Sequence, residues 1–230
     1  AFDMLGKTPS NIEITFPVRN GVIADIENMT ALLNSVFAEL EKKHGKIAGS
    51  EFIVASPTDI TEVEKRAFVD LVASSDAKTK KIRIVEKPIA NALGAGLDVT
   101  NANGVMIVDI GAGTTDIATL SLGGISKYES INVAGSDFTD AIIKYVRREH
   151  NVDIGLHTAE RIKRQIGCVV QRPLELTLTA KGIDKFTGQP NTFEINTNEM
   201  MVALYDTAMT ICTTVQSVIE QTPPEIAADI

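Results

Sequence analysis

Two carboxylates bracket a glycine turn in the stretch Asp109-Ile-Gly-Ala-Gly-Thr-Thr-Asp116, which joins one apolar segment to another. Backbone N–H groups in a tight glycine turn can converge on an anion, because no Cβ blocks the approach. The turn offers the N–H groups of Gly111, Ala112 and Gly113, with the hydroxyls of Thr114 and Thr115 beside them. Asp109 alone would repel a phosphate, so its position asks for a divalent cation between the two, held through water as Mg2+ prefers. Carboxylate and turn together point to a metal-bound nucleotide. A hairpin that merely carries polar residues and binds nothing also suits this spacing, since a lone glycine turn is a weak signal.

The elements that must position this turn are legible from periodicity. Residues 26–45 place Met29, Leu32, Leu33, Val36, Phe37 and Leu40 on one helical face, with Gly45 suited to the C-terminal cap. The apolar run at 51–56 is a strand stopped by Pro57, and Thr61 with Glu64 forms a capping box that opens a helix to about Ser74. Residues 81–86 are a strand, and Pro88 starts a helix extending through about Leu97. Strand and helix alternate, as in an α/β fold with a mixed or mostly parallel sheet. Downstream, a strand near 125–135 leads to a helix with Ser136 as the expected N-cap, and a shorter helix ends at Gly167. Residues 174–196 read as a β-hairpin with turns at Gly182 and at 187–191. A long helix from Thr197 to Gln221 is capped by Asn196 and Glu199, and Thr222-Pro-Pro-Glu225 opens another.

The 230 residues carry a formal net charge of −8, with 44% hydrophobic and 23% charged residues. This is globular composition with no basic face for nucleic acid. The best basic cluster, Lys78 to Arg83, reads as a solvated loop before a strand. Cys168 and Cys212 lack metal-like spacing and fit a reducing cytoplasm better than a disulfide framework. No run approaches the roughly 18 apolar residues of a membrane-spanning helix.

The turn and its strands, "VMIVDIGAGTTDIATLSLGGI", resemble the second phosphate-binding hairpin of the actin and heat-shock-chaperone ATPase superfamily. The whole chain resembles the MreB family of bacterial actin homologues, the rod shape-determining proteins. The matching stretches are "MLGKTPSNI", "PVRNGVIAD", "EKPIANALGAGL", "VAGSDFTDAIIKYVRREHN", "IGLHTAERIKRQIG" and "TPPEIAADI". The resemblance implies an actin-like two-lobed ATPase fold with ATP and Mg2+ in the cleft. Residues 1–12 would end the small subdomain of lobe I and 13–102 form its core. Residues 103–152 and 197–230 would form the core of lobe II, with 153–196 its small outer subdomain. The chain begins at Ala1 rather than Met. The family's first phosphate loop is expected upstream and its glycine-rich adenosine loop downstream, so the chain reads as the fold without its N-terminal strands and C-terminal segment.

By the same resemblance, Asp109 would orient the water shell of Mg2+, while Gly111, Ala112, Gly113, Thr114 and Thr115 wrap the phosphates. Gly135 would lie near the ribose. Glu160 and Lys163, three apart on one helix face, would flank ribose and adenine; a plain surface ion pair suits that spacing too. One position departs from the family. The residue before the proline of "VEKP", normally a glutamate that polarises the attacking water, is Lys87, with Glu86 one place upstream. An ammonium has donors only and cannot accept a proton from water. Glu86 would need a local backbone shift to take over, because neighbours on an extended segment point opposite ways.

MreB-like proteins are implied to polymerise with ATP into filaments on the inner membrane that organise cell-wall synthesis and maintain cell shape. Their implied partners are copies of the same chain, cell-wall synthesis proteins and membrane-anchoring proteins. Membrane contact through Ile47 and Ala48 would be weak. ATP binding with slowed hydrolysis is the expectation at Lys87. The alternatives are a non-hydrolysing actin-like scaffold, a specialised filament of the magnetosome type, a sugar kinase of the same superfold and, with less support, a heat-shock chaperone ATPase.

Overall fold

A computed structural model describes residue 4, residues 6–19 and residues 21–230. Ala1 to Asp3, Leu5 and Asn20 lie outside the described residues, and with them parts of the segment assigned to 1–12 and of the stretch "PVRNGVIAD". The chain divides into two compact units. The first holds 15–109, 116–130 and 215–230; the second holds the residues up to Ile14, 110–115 and 131–214.

In the first unit, β1 (Val18–Arg19) pairs antiparallel with β2 (Val22–Ile23). Helix α1 (Ile26–His44) follows, its first turn held by the Asp25 carboxylate, which accepts from the Asn28 N–H at 3.0 Å. It ends at Gly45, whose φ of +86° suits a residue without a side chain. Strand β3 (Glu51–Ser56) runs parallel to β4 (Lys81–Glu86), with α2 (Glu62–Ala73) as the crossover. The expected capping box is formed: the Thr61 hydroxyl accepts from Glu64 N–H at 3.2 Å, and the Glu64 carboxylate accepts from Thr61 N–H at 2.8 Å. Phe37 of α1 meets Phe52 of β3 edge-on at 5.2 Å between ring centroids.

Helix α3 (Lys87–Gly94) leaves directly from the end of β4. It stops short of the expected Leu97, because Gly96 adopts φ +78° and the Leu97 N–H turns back to the Ala92 carbonyl. Strands β5 (Val105–Ile110), β6 (Thr115–Ser121) and β7 (Gly124–Ile131) form a sheet in that order. Ala92 of α3 packs with Val99, Ala118 and Leu120 in a buried cluster bordered by Ile89, Ile107, Ile125 and Tyr128. The small Ala92 lets the helix lie close to the sheet, and that seating carries Lys87 to the strands.

The second unit is built from α4 (Gly135–Glu149), β8 (Val152–Asp153), α5 (Leu156–Ile166), β9 (Thr177–Asp184) and β10 (Pro190–Asn196), followed by α6 (Thr197–Glu220). From Val215 onward α6 belongs to the first unit, as does α7 (Pro224–Ala227). Its sheet has the order β10-β9-β8, antiparallel throughout. Ile142 and Val146 of α4 and Ala159, Ile162 and Ile166 of α5 interlock at helical spacing over Ala180, Ile195 and Met200. Asn196 and Glu199 cap α6 reciprocally as expected.

Two local expectations are corrected. Ser136 is not the N-cap of α4; that place is taken by Ala134, whose N–H donates to the Asp137 carboxylate at 2.9 Å. Gly182 is not a turn but sits inside β9 opposite Asn191. A Cβ there would lie 2.4 Å from Val152 Cγ1 and 2.6 Å from the Asp153 carbonyl oxygen, so the glycine makes room for β8. Gly182→Ala is therefore expected to push β8 away and cost about 1–3 kcal/mol, read as a lowered midpoint in denaturant unfolding.

Candidate functional site

The turn and the helix that follows it form one bonded piece in the second unit. Gly111 N–H donates to the Thr114 carbonyl at 2.9 Å and closes the turn. Gly135 and Ser136, at the start of α4, donate their N–H groups to the carbonyls of Gly111 (3.0 Å) and Ala112 (2.8 Å). The turn's carbonyls thus satisfy helix-start donors that would otherwise face solvent. Gly135 is explained inside the protein: a Cβ there would press on the Gly111 carbonyl oxygen at 3.1 Å.

The donors left for a ligand are fewer than the sequence suggests. Gly111 N–H is spent on the turn. Thr115 is fully buried and its hydroxyl donates to the Val133 carbonyl at 2.6 Å, so it braces the strand rather than facing outward. Among the described residues no backbone hydrogen bond takes the N–H of Ala112 or Gly113. These two groups, with the part-exposed Thr114, are the donors that the turn leaves for a ligand.

Glu160 and Lys163 are not a loose surface pair. Lys163 Nζ lies 2.6 Å from Glu160 Oε2, 2.7 Å from the Gly135 carbonyl oxygen and 2.8 Å from Thr139 Oγ1. Thr139 in turn donates to Glu160 at 2.9 Å. Burial is the largest influence on Glu160 and pushes its carboxyl up, but the bonds from Lys163 and Thr139 outweigh it and hold the group below its ordinary range. The network ties α5 to the start of α4. Beside it, His157, Glu160, Arg161, Arg164 and Gln165 line an open groove of about 410 Å3.

The first unit holds the other charged cluster. Lys87 Nζ is 2.7 Å from Asp109 Oδ2 and 2.7 Å from Asp116 Oδ2. Asp109 Oδ2 also accepts from Asn91 Nδ2 at 2.8 Å. Asp116, only 5% exposed, accepts three charge-assisted bonds: from Lys87, from Tyr128 Oη at 2.8 Å and from Ser130 Oγ at 2.7 Å. Burial, the largest influence on Lys87, disfavours its charge, yet the bonds and charges of the two aspartates outweigh it and raise the pKa. Burial likewise pushes Asp116 up, and its donors overcome that and lower it. Tyr128 is pushed up to about 12, first by burial and then by its bond to Asp116. Glu86 stands at the N-cap of α3 and makes no capping bond with its side chain.

These residues do not fit a divalent cation at Asp109. Two donors converge on one of its oxygens, and an ammonium already neutralises the cluster. Placing a dication about 5 Å from that ammonium costs on the order of several kcal/mol even at an effective dielectric of roughly 20. Among the described residues no group of three or more His, Cys, Asp or Glu is placed to hold a metal ion. The expectation of Mg2+ water ordered by Asp109 is therefore not supported by the arrangement found, because Lys87 stands in the way.

Asn91, Thr139, Tyr128 and Ser130 were not singled out from sequence. Asn91 lies one helical turn beyond Lys87, and Tyr128 and Ser130 alternate onto one face of β7. What periodicity lacks is the partner, since joining either pair to an aspartate requires the packing of α3 and the order of the sheet.

A family model described as MreB/Mbl protein matches residues 1–230. The chain belongs to the MreB/Mbl family. It is 37% identical over 230 residues to the cell shape-determining protein MreB of Escherichia coli strain K12, covering 100% of this chain and 66% of that protein. To the cell shape-determining protein Mbl of Bacillus subtilis strain 168 it is 37% identical over 227 residues, 99% of this chain and 67% of that one. The chain thus spans about two thirds of the length of these relatives. Among solved structures, MreB5 of Spiroplasma citri bound to ADP superposes with a TM-score of 0.92 at 36% identity, covering 100% of this chain and 68% of that one. The same protein bound to AMPPNP gives 0.93. The MamK double helical filament, at 19% identity and TM-score 0.75 over 94% of this chain and 65% of that one, shares the fold alone. The fold of this MreB/Mbl chain is actin-like.

The Tyr128–Asp116 bond carries a pH signature. Tyr128 has a folded pKa of about 12 against an ordinary value of about 10. Its contribution to stability is fully present below pH of about 10 and is lost as pH rises toward about 12. Tyr128→Phe is expected to cost about 1.5–3 kcal/mol at neutral pH and to flatten the alkaline decline. Denaturant midpoints against pH, with phenolate absorbance as a second readout, check both effects.

Proposed function

We propose that this chain is the nucleotide-handling part of an actin-like filament protein that binds ATP, assembles with copies of itself and hydrolyses ATP slowly. The observation that carries this reading is Lys87, which stands before Pro88 and is held by Asp109 and Asp116. A general base must accept a proton, and an ammonium pinned by two carboxylates has none of that capacity. Nucleotide binding is supported by the N–H groups of Ala112 and Gly113, which no backbone acceptor among the described residues takes, by the braced Glu160 carboxylate and by a 36% identical relative solved with ADP and with AMPPNP. Glu160 is suited to accept from ribose hydroxyls, with the groove along α5 next to it.

In the cell, the reading is a filament that maintains shape by organising wall synthesis from the cytoplasmic side of the inner membrane, together with wall-synthesis and anchoring proteins. Among the described residues no helix is long and apolar enough to cross a membrane. Ile47 and Ala48 are half-buried, so membrane contact through them supplies about 2 kcal/mol at most and depends on many subunits acting together.

A second reading, a scaffold that polymerises without turnover, is favoured by the same lysine. Phosphate release and pelleting separate the two. Lys87→Glu is expected to raise ATP-dependent phosphate release by about 10²-fold, at the low end of what a positioned base contributes, while the native chain pellets with ATP and releases phosphate slowly. Unchanged release in the variant refutes the assignment of slow hydrolysis to Lys87. Native filaments with no detectable release select the scaffold.

A further inference from the structure

Lys87 does more in this structure than remove an acceptor. It supplies the positive charge that two strand-borne carboxylates need. Asp109 and Asp116 would together leave two negative charges at neighbouring strand ends, with Asp116 almost wholly buried. Buried carboxylates of like sign require a counter-charge within bonding distance. The ammonium lies 2.7 Å from both, and the Asn91 amide completes Asp109 at 2.8 Å. This is the neutralisation that a metal ion performs at paired carboxylates, done here by a side chain fixed at the start of α3.

We infer that Lys87 is a tethered substitute for a divalent cation, so that this chain binds nucleotide without requiring Mg2+. The inference rests on the nucleotide-binding reading given above and specifies its cofactor demand. Asp109 and Asp116 bracket the phosphate-suited turn in sequence. Two of the three ammonium donors are used by the aspartates, and the third remains for an anion. Lysine commonly serves phosphate as a point charge. Replacing Lys87 by glutamate would put three carboxylates in the same space, and a divalent cation would then be required to relieve them.

The test compares ATP affinity by equilibrium dialysis in excess EDTA and in excess Mg2+, for the native protein and for Lys87→Glu. The native affinity is expected to change less than about threefold, and that of Lys87→Glu by about tenfold or more, a difference of ~1.4 kcal/mol. Mn2+ uptake without nucleotide, followed by electron paramagnetic resonance, is the second readout: none by the native chain, measurable uptake by Lys87→Glu. A native protein that loses ATP in EDTA as steeply as the variant, or takes up Mn2+ as well, overturns the inference. Should neither protein bind ATP under any condition, the nucleotide reading fails and the Mn2+ comparison alone decides the role of Lys87. If Lys87→Glu does not fold by circular dichroism, Lys87→Gln, which keeps a donor and loses the charge, replaces it; Mn2+ uptake by that variant and none by the native chain supports the substitution, and equal uptake refutes it.

Discussion

The ammonium of Lys87 between Asp109 and Asp116 is the interaction on which the first unit's chemistry depends. Asp116 is buried in β6 between Thr115 and Ile117, both fully buried, and a carboxylate there is tolerable only with a counter-charge. That requirement constrains other choices. Tyr128 and Ser130 must present hydroxyls from β7, Ala92 must be small so that α3 can seat, and Pro88 must start the helix immediately after the lysine. A buried ion pair of this kind is weak evidence of stability, because desolvation offsets much of its attraction. Its effect is on what the site can bind and which proton transfers it can make.

The second unit solves a different problem. Its turn has few donors to spare, and most of its polar capacity goes into holding itself against α4. What remains is a pair of N–H groups and a threonine hydroxyl on a rigid support, with Glu160 fixed by Lys163 and Thr139. Preorganised donors of this sort bind an anion without a further ordering cost.

Much of this was legible from residue order because it is local. The capping box at Thr61 and Glu64, the reciprocal cap of α6 and the helix stop at Gly167 each involve residues within a few positions of one another. The burial of Thr115 was not legible in this way, because that residue opens β6, whose first six residues are all buried without alternation, and the turn's chemistry suggested using both threonines. What else could not be read was long-range. Ser136 looked like a cap, but the turn 24 residues upstream supplies the acceptors, through the Ala112 carbonyl. Gly182 looked like a turn because its crossing partner, β8, is two residues long and leaves almost no periodic trace. Lys87 was visible as an anomaly; that it pairs with both carboxylates bracketing the turn, Asp109 and Asp116, depended on the seating of α3.

The bonds from Gly135 and Ser136 to the turn give the second unit a mechanical property. Because the helix holds the turn by its carbonyls, a turn that shifts when an anion arrives must draw the first residues of α4 with it or break two hydrogen bonds. Through Gly135 the same displacement is felt by Lys163, and so by α5. Helix α4 is 15 residues, roughly 22 Å of stiff rod, and its far end carries His150 bonded to Glu199 at the cap of α6. An anion on the two amide groups would thereby be geared to the other end of the unit, with the turn as the short arm of a lever.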